Sequence, residues 1–65
     1  MISEKEIFLE EILKKKSAIE EYIKVAEGKL EEAELEKDEE GVATATFLVA
    51  EYETMLEEFC KYYRI

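Results

Sequence analysis

Lys37-Asp38-Glu39-Glu40-Gly41 is the one strong turn signal in this chain of 65 residues. Gly41 can adopt the left-handed conformation that ends a helix, and Asp38 can cap the helix that follows. On both sides of this stretch, apolar residues recur with helical spacing. The sequence therefore predicts a single all-α domain, residues 1–65, in which helices of about residues 4–37 and 42–63 pack as an antiparallel hairpin.

Apolar residues on the N-terminal side follow a heptad, which is typical of a helix-packing face. Lys16 interrupts this heptad at one core position, and Tyr22 widens the face on one side. Gly28 falls on the opposite side, where it costs about 1 kcal/mol relative to Ala without disturbing the packing. The heptad positions are Leu9, Ile12, Ile19, Ile23, Ala26, Leu30 and Ala33.

Two serines carry capping-box signatures, since Glu6 follows Ser3 and Glu20 follows Ser17 at the spacing in which hydroxyl and carboxylate bond reciprocally to the backbone. Ser3 is expected to open the first helix. At Ser17 the helix can either continue or break. A break would fold the first segment back and give a three-helix bundle, whereas a continuous helix gives the hairpin.

The heptad resumes without a fault after the turn, so the second helix also has a packing face. Its positions are Val42, Ala45, Val49, Tyr52, Leu56, Phe59 and Tyr63. A second apolar line, Leu48, Met55 and Tyr62, runs beside this heptad. One neighbouring helix would not cover both lines, which favours a dimeric helical bundle.

The two predicted arms differ in length, because at 1.5 Å per residue they span roughly 50 and 33 Å. About twelve N-terminal residues would extend beyond the pairing, and they carry an apolar cluster that a monomer would leave in water. We expect a second copy of the chain or another protein to cover it. The cluster consists of Phe8, Leu9, Ile12 and Leu13.

Charge and composition exclude several classes of function. The chain has 18 acidic and nine basic residues, and a net charge of −9 disfavours direct nucleic-acid binding. It has no histidine, and Cys60 is its only cysteine, so we expect no enzyme, metal site or cofactor. A lone thiol, the absence of a spanning segment and a Met1-Ile2-Ser3-Glu4 start that does not resemble a signal peptide predict a cytoplasmic protein.

Most of the excess acid lies in the middle of the chain. Carboxylates four residues apart repel one another in a helix, as in the pairs Glu27–Glu31, Glu32–Glu36, Glu36–Glu40 and Glu34–Asp38. Such a stretch either keeps the protein soluble or binds a basic surface. The candidate partner-binding residues are Glu27, Glu31, Glu32, Glu34, Glu36, Asp38, Glu39 and Glu40.

These features predict a small acidic helical protein that binds and regulates or inhibits a protein partner as a homodimer. The alternative is an acidic nucleic-acid mimic, of the kind made by phages and mobile elements, which blocks a target's DNA-binding or RNA-binding site. A weaker hypothesis is a sporulation-type phosphatase or kinase regulator, whose helical hairpin is similar. The Ser-Gln-Glu-Leu-Asp motif of that family is absent, and residues 49–53 keep only its Glu.

Overall fold

The computed structural model of the protein describes residues 3–65 and confirms the antiparallel hairpin. Helix α1 spans Glu4–Glu36 and helix α2 spans Glu39–Tyr63. Together they form a rod of about 54 × 20 × 11 Å. Within the described part of the chain, neither helix has the length and apolarity needed to cross a bilayer. Met1 and Ile2, which begin the segment considered above as a signal peptide, lie outside the described residues.

Helix α1 begins as expected and continues through Ser17. The Glu6 backbone N–H donates to Ser3 Oγ at 3.2 Å, so Ser3 is the N-cap. Ser17 lies within α1 and is exposed. The three-helix alternative is therefore wrong, because the apolar face continues on both sides of Ser17 and no Pro or Gly breaks the helix there.

The turn contains only two residues outside the helices. Lys37, rather than Gly41, takes the left-handed conformation, with φ 58° and ψ 37°. The Lys37 N–H donates to the Glu34 carbonyl at 3.2 Å and the Asp38 N–H donates to the Ala33 carbonyl at 2.9 Å, which is a Schellman motif. Asp38 caps α2 as expected, because the Gly41 N–H donates to its Oδ1 at 3.1 Å. Helix α2 consequently begins three residues earlier than the sequence predicts.

Gly41 is needed for space, not for a left-handed backbone. A Cβ added there would lie 2.5 Å from Asp38 Oδ2 and 3.2 Å from Ala33 Cβ. The glycine therefore lets the capping carboxylate fold over the first turn of α2 while α1 passes close by. At Gly28 an added Cβ would meet no atom within 4 Å, which agrees with the structurally neutral role expected for it.

The two heptads form the interface between the helices. Ile12, Ala26, Ala33 and Ala45 are buried, and nearly all the other heptad residues are half-buried. Leu9 is the exception, since it remains exposed beyond the end of the pairing. The resulting core is thin, because each helix covers only one side of the other.

Pairing extends further toward the N-terminus than the arm lengths imply. Ile12 is only 6% exposed, and Lys16 Nζ donates to the Ile65 carbonyl at 3.4 Å. The expected overhang of about twelve residues therefore ends before Ile12. Aromatic rings close this end of the hairpin, with the Phe59 and Tyr63 centroids 4.8 Å apart.

Candidate interaction surfaces

The eight acidic residues singled out above are all exposed, but they do not share one face. Glu27, Glu31 and Glu34 line one shallow groove together with Lys24, Gly28 and Leu30. Glu32, Glu36 and Asp38 line a different groove, which includes residues of α2. The helical period explains the separation, because Glu31 and Glu32 are 100° apart around α1.

Four pairs of carboxylates were expected to repel each other along one helix. In two of these pairs, the turn prevents both residues from lying on the same helix. Glu36 is the last residue of α1 and Glu40 belongs to α2, so these two carboxylates are not neighbours on one helix. Asp38 lies between the helices, where its side chain serves as the N-cap. Only Glu27–Glu31 and Glu32–Glu36 remain at the four-residue helical spacing.

Three of the four residues in the N-terminal apolar cluster are exposed. Phe8 has 62% of its surface exposed, and Leu9 and Leu13 are also open to solvent. Ile12 is the exception, because the hairpin itself buries that side chain. Ile7, next to Phe8 in the same N-terminal segment, is exposed as well.

The two long sides of the hairpin differ in the chemistry of their side chains, a difference that was not predicted from the sequence. On one side, large apolar residues stand beside lysines, and we name Tyr22, Leu48, Met55 and Tyr62 the apolar flank. On the other side lies the acidic flank of Glu20, Glu27, Glu34, Glu39 and Glu53. The seven-residue spacing within each helix could have indicated which residues of that helix share a side. Which side of α1 lies next to which side of α2 depends on the register in which the two helices pack.

Contacts between the helices establish which residues share a side. Tyr22 of α1 lies against Tyr52 of α2, with ring centroids 5.8 Å apart. Lys29, seven residues after Tyr22 on α1, lines one groove with Leu48, which is the groove that Glu32, Glu36 and Asp38 also line. Glu34 and Glu39 line a groove on the opposite side. The apolar flank and the acidic flank therefore each combine residues of both helices.

Few basic side chains neutralise these acids. Among residues 3–65, the one side-chain ion pair joins Lys14 Nζ to Glu11 Oε1 at 3.6 Å, and both side chains are mostly exposed. Such a pair adds little to stability. The two residues lie three apart on α1. The acidic flank faces solvent with its charge uncompensated by direct contacts.

Other polar groups have structural roles. Cys60 is half-buried at the edge of the interface between the helices. The Thr54 hydroxyl donates to the Ala50 carbonyl at 2.9 Å within α2. In the part of the chain that the structure describes, no group of three or more His, Cys, Asp or Glu residues is arranged to hold a metal ion.

Comparison of the chain with protein-family models, curated proteins and solved structures gave no match. A functional proposal for this chain therefore rests on the surfaces described above.

Proposed function

We propose that this chain is a non-enzymatic, cytoplasmic interaction protein that forms a homodimer and binds and regulates or inhibits a protein target. One observation carries the proposal, namely the area that the hairpin exposes. The chain has 5650 Å² of accessible surface, whereas a compact monomer of this mass exposes about 4300 Å². Eleven large apolar side chains are exposed, and contiguous exposed apolar surface is typical of a protein that functions against another surface.

The thin core supports the same proposal. None of the described side chains is fully buried, and below about 70–80 residues a single core rarely gives sufficient stability. Oligomerisation is a common remedy for a domain of this size. Catalysis is left out of the proposal because the chain has no histidine and its single thiol lies at the edge of the helix interface.

Sedimentation equilibrium of the purified chain tests the homodimer. We expect a mass twice 7.6 kDa at micromolar concentration and a largely helical circular dichroism spectrum. The dimer should persist at high salt, because apolar contacts are not screened by ions. A mass of 7.6 kDa throughout the concentration range would contradict the homodimer.

Capture from a lysate of the source cell, followed by mass spectrometry, identifies the target. The purified target then gives an affinity for the wild-type chain and for a Phe8→Glu variant, whose altered side chain is exposed. A target held in an apolar contact should bind with little dependence on salt. Absence of reproducible, saturable binding to any purified candidate would contradict the regulatory part of the proposal.

The second candidate function is mimicry of a nucleic acid, and the row of Glu27, Glu31 and Glu34 favours it. These carboxylates follow one another at helical spacing on one side of α1, so neighbouring side chains are about 5–6 Å apart. Lys24 lines the same groove but forms no ion pair with these carboxylates, and a row of unpaired like charges is what a phosphate-binding surface would recognise.

Competition separates the two functions. Mimicry predicts that the chain displaces labelled duplex DNA or RNA from the captured target, and that simultaneous change of Glu27, Glu31 and Glu34 to Gln abolishes the displacement. A matched control changes Glu51, Glu57 and Glu58 to Gln, which removes the same charge elsewhere. Equal loss in both variants would indicate a net-charge effect, and no displacement by wild type would reject mimicry.

A further inference from the structure

We infer that two copies of the hairpin pair antiparallel through the apolar flank, forming a four-helix bundle with both acidic flanks facing solvent. This inference rests on the homodimer proposed above and specifies the interface and its orientation. The combination that points to it is the apolar surface on one side, the acidic surface on the other, and an uneven distribution of charge along the rod.

The apolar flank provides a continuous surface along the hairpin. Leu48, Met55 and Tyr62 recur every seven residues on one side of α2, and Tyr22 of α1 lies against Tyr52, which falls between Leu48 and Met55 in the sequence of α2. Met55 is 48% exposed and Tyr62 is 80% exposed, although both are large and apolar. Aromatic residues and Met are enriched at protein interfaces, because they bury a large area with few polar atoms.

Charge determines which side can face a second copy. At the seven-residue spacing that includes Tyr22, α1 places Lys15, Lys29 and, next to the turn, Glu36 on the apolar flank. The same spacing on the other side places Glu20, Glu27 and Glu34 on the acidic flank. Two acidic flanks would repel each other, since like charges brought together at an interface are unfavourable. Pairing through the apolar flank brings fewer carboxylates together and so reduces that repulsion.

Charge along the rod determines the orientation. Residues 27–50, the half of the hairpin that contains the turn, carry eight acids and two lysines. The open half, residues 3–26 and 51–65, carries ten acids and seven basic residues. A parallel pair would bring the two strongly acidic turn halves together, whereas an antiparallel pair places each of them beside the less acidic open half of the other copy. The antiparallel orientation therefore has the smaller like-charge repulsion, which is unfavourable across an interface.

The exposed area is large enough for such an interface. Over its whole surface, the hairpin exposes about 1350 Å² more than a compact monomer of its mass would. A standard protein–protein interface buries about 800 Å² on each partner, so a dimer of ordinary size can be built from this excess. Phe8 lies fourteen residues before Tyr22, on the same side of α1, and extends the apolar flank toward the partner's turn.

The first experiment tests which flank pairs. The double variant Met55→Glu, Tyr62→Glu introduces two charges at exposed positions, so the isolated hairpin should still fold. The matched control, Phe47→Glu, changes an exposed aromatic residue on a different side of α2. Sedimentation equilibrium should give a helical monomer for the double variant and a dimer for the control. A double variant that dimerises as wild type does would overturn the inference.

The second experiment tests the orientation without changing the flank. Spin labels are attached at Leu35→Cys or Ile7→Cys in a Cys60→Ser background, and electron–electron distances are measured. An antiparallel dimer should place two Leu35 labels about 40 Å apart, since 28 residues of helix separate the two label sites. Mixed dimers carrying one Leu35 label and one Ile7 label should show a short distance. A short distance between two Leu35 labels would overturn the antiparallel orientation.

The results of these experiments distinguish a failure of this interface from a failure of the proposed homodimer. A monomeric wild-type chain would reject both the homodimer and this interface. A dimer that resists Met55→Glu, Tyr62→Glu but separates with Phe8→Glu, Leu13→Glu would keep the homodimer and overturn the flank assignment. The interface would then lie at the exposed N-terminal cluster.

Discussion

Lys37 and Arg64 are the two described non-glycine residues with positive φ, and each follows the end of a helix. For a residue with a Cβ, the left-handed conformation costs roughly 1–2 kcal/mol. At Lys37 the conformation is held by the two Schellman hydrogen bonds, which satisfy carbonyls that α1 would otherwise leave without partners. The chain therefore tolerates local strain at the residue where its direction reverses.

Lys37→Gly should raise the free energy of unfolding by about 1 kcal/mol, because glycine adopts the left-handed conformation without the Cβ clash. Urea unfolding followed by circular dichroism measures this. Lys24→Gly is the control, since Lys24 lies within α1 and the same substitution should there lower stability by about 1 kcal/mol. Loss of stability in Lys37→Gly would show that the lysine side chain has a role of its own.

The two glycines should respond to alanine in opposite directions. Gly28→Ala should raise the free energy of unfolding by about 1 kcal/mol, since the new methyl group enters open space in a helix. Gly41→Ala should lower it by about 1–2 kcal/mol, because the methyl group displaces the Asp38 cap. Thermal melts of both variants test this pair. Equal stabilisation by both would mean that Asp38 moves aside at no cost.

At the scale of the helices, the interface consists of one stripe from each. Its most buried large residue is Ile12, which α2 covers near its C-terminal end. Ile12→Ala should therefore lower the free energy of unfolding by about 3 kcal/mol, in the usual range for a buried aliphatic residue. Leu35→Ala, at a highly exposed position of the same helix, is the control and should change stability by less than about 0.5 kcal/mol. Similar effects in both would show that Ile12 is not packed against α2 in solution.

Most of the fold could be predicted from the sequence, because a heptad on each side of one turn specifies a helical hairpin. The exact turn geometry could not. Gly41 was the natural candidate for a left-handed residue, yet hydrogen bonds to Ala33 and Glu34 place that conformation at Lys37. The exposure of Phe8, Leu9 and Leu13 in the N-terminal cluster was predicted correctly. The exposure of Ile12 was predicted wrongly, because how far α1 and α2 pair depends on the turn and on Ile65.

The candidate surfaces were less accessible to sequence reasoning. Tyr22 and the line of Leu48, Met55 and Tyr62 were visible separately, but their joint flank depends on how α1 and α2 are aligned. Similarly, a run of acids along the chain suggested one surface, whereas the helical period divides it between two sides. Whether either surface binds a partner stays a prediction.

At the scale of the whole molecule, repulsion among like charges opposes folding in a chain with a net charge of −9. The effect is largest near the turn, where most of the excess acid lies. Simultaneous change of Glu31, Glu32 and Glu36 to Gln should raise the melting temperature slightly, because Glu27–Glu31 and Glu32–Glu36 each cost a few tenths of a kcal/mol. The gain should shrink at high salt, where charges are screened. A single Glu40→Gln change should have less effect, because Glu40 and Glu36 lie on different helices. A gain that does not depend on salt would point to helix propensity instead of charge.

The two-residue connection between the helices also has a kinetic consequence. Contacts between residues on either side of the connection close the shortest loops in the chain, so these contacts form at the lowest entropic cost. Contacts at the open end of the hairpin form later. Changes near the connection should therefore alter mainly the folding rate, and changes at Ile12 mainly the unfolding rate. Stopped-flow measurements on Lys37→Gly and Ile12→Ala, made at low protein concentration, should show faster folding in the first and faster unfolding in the second. The hairpin would then form outward from Lys37 and Asp38 and come apart first where the chain ends meet.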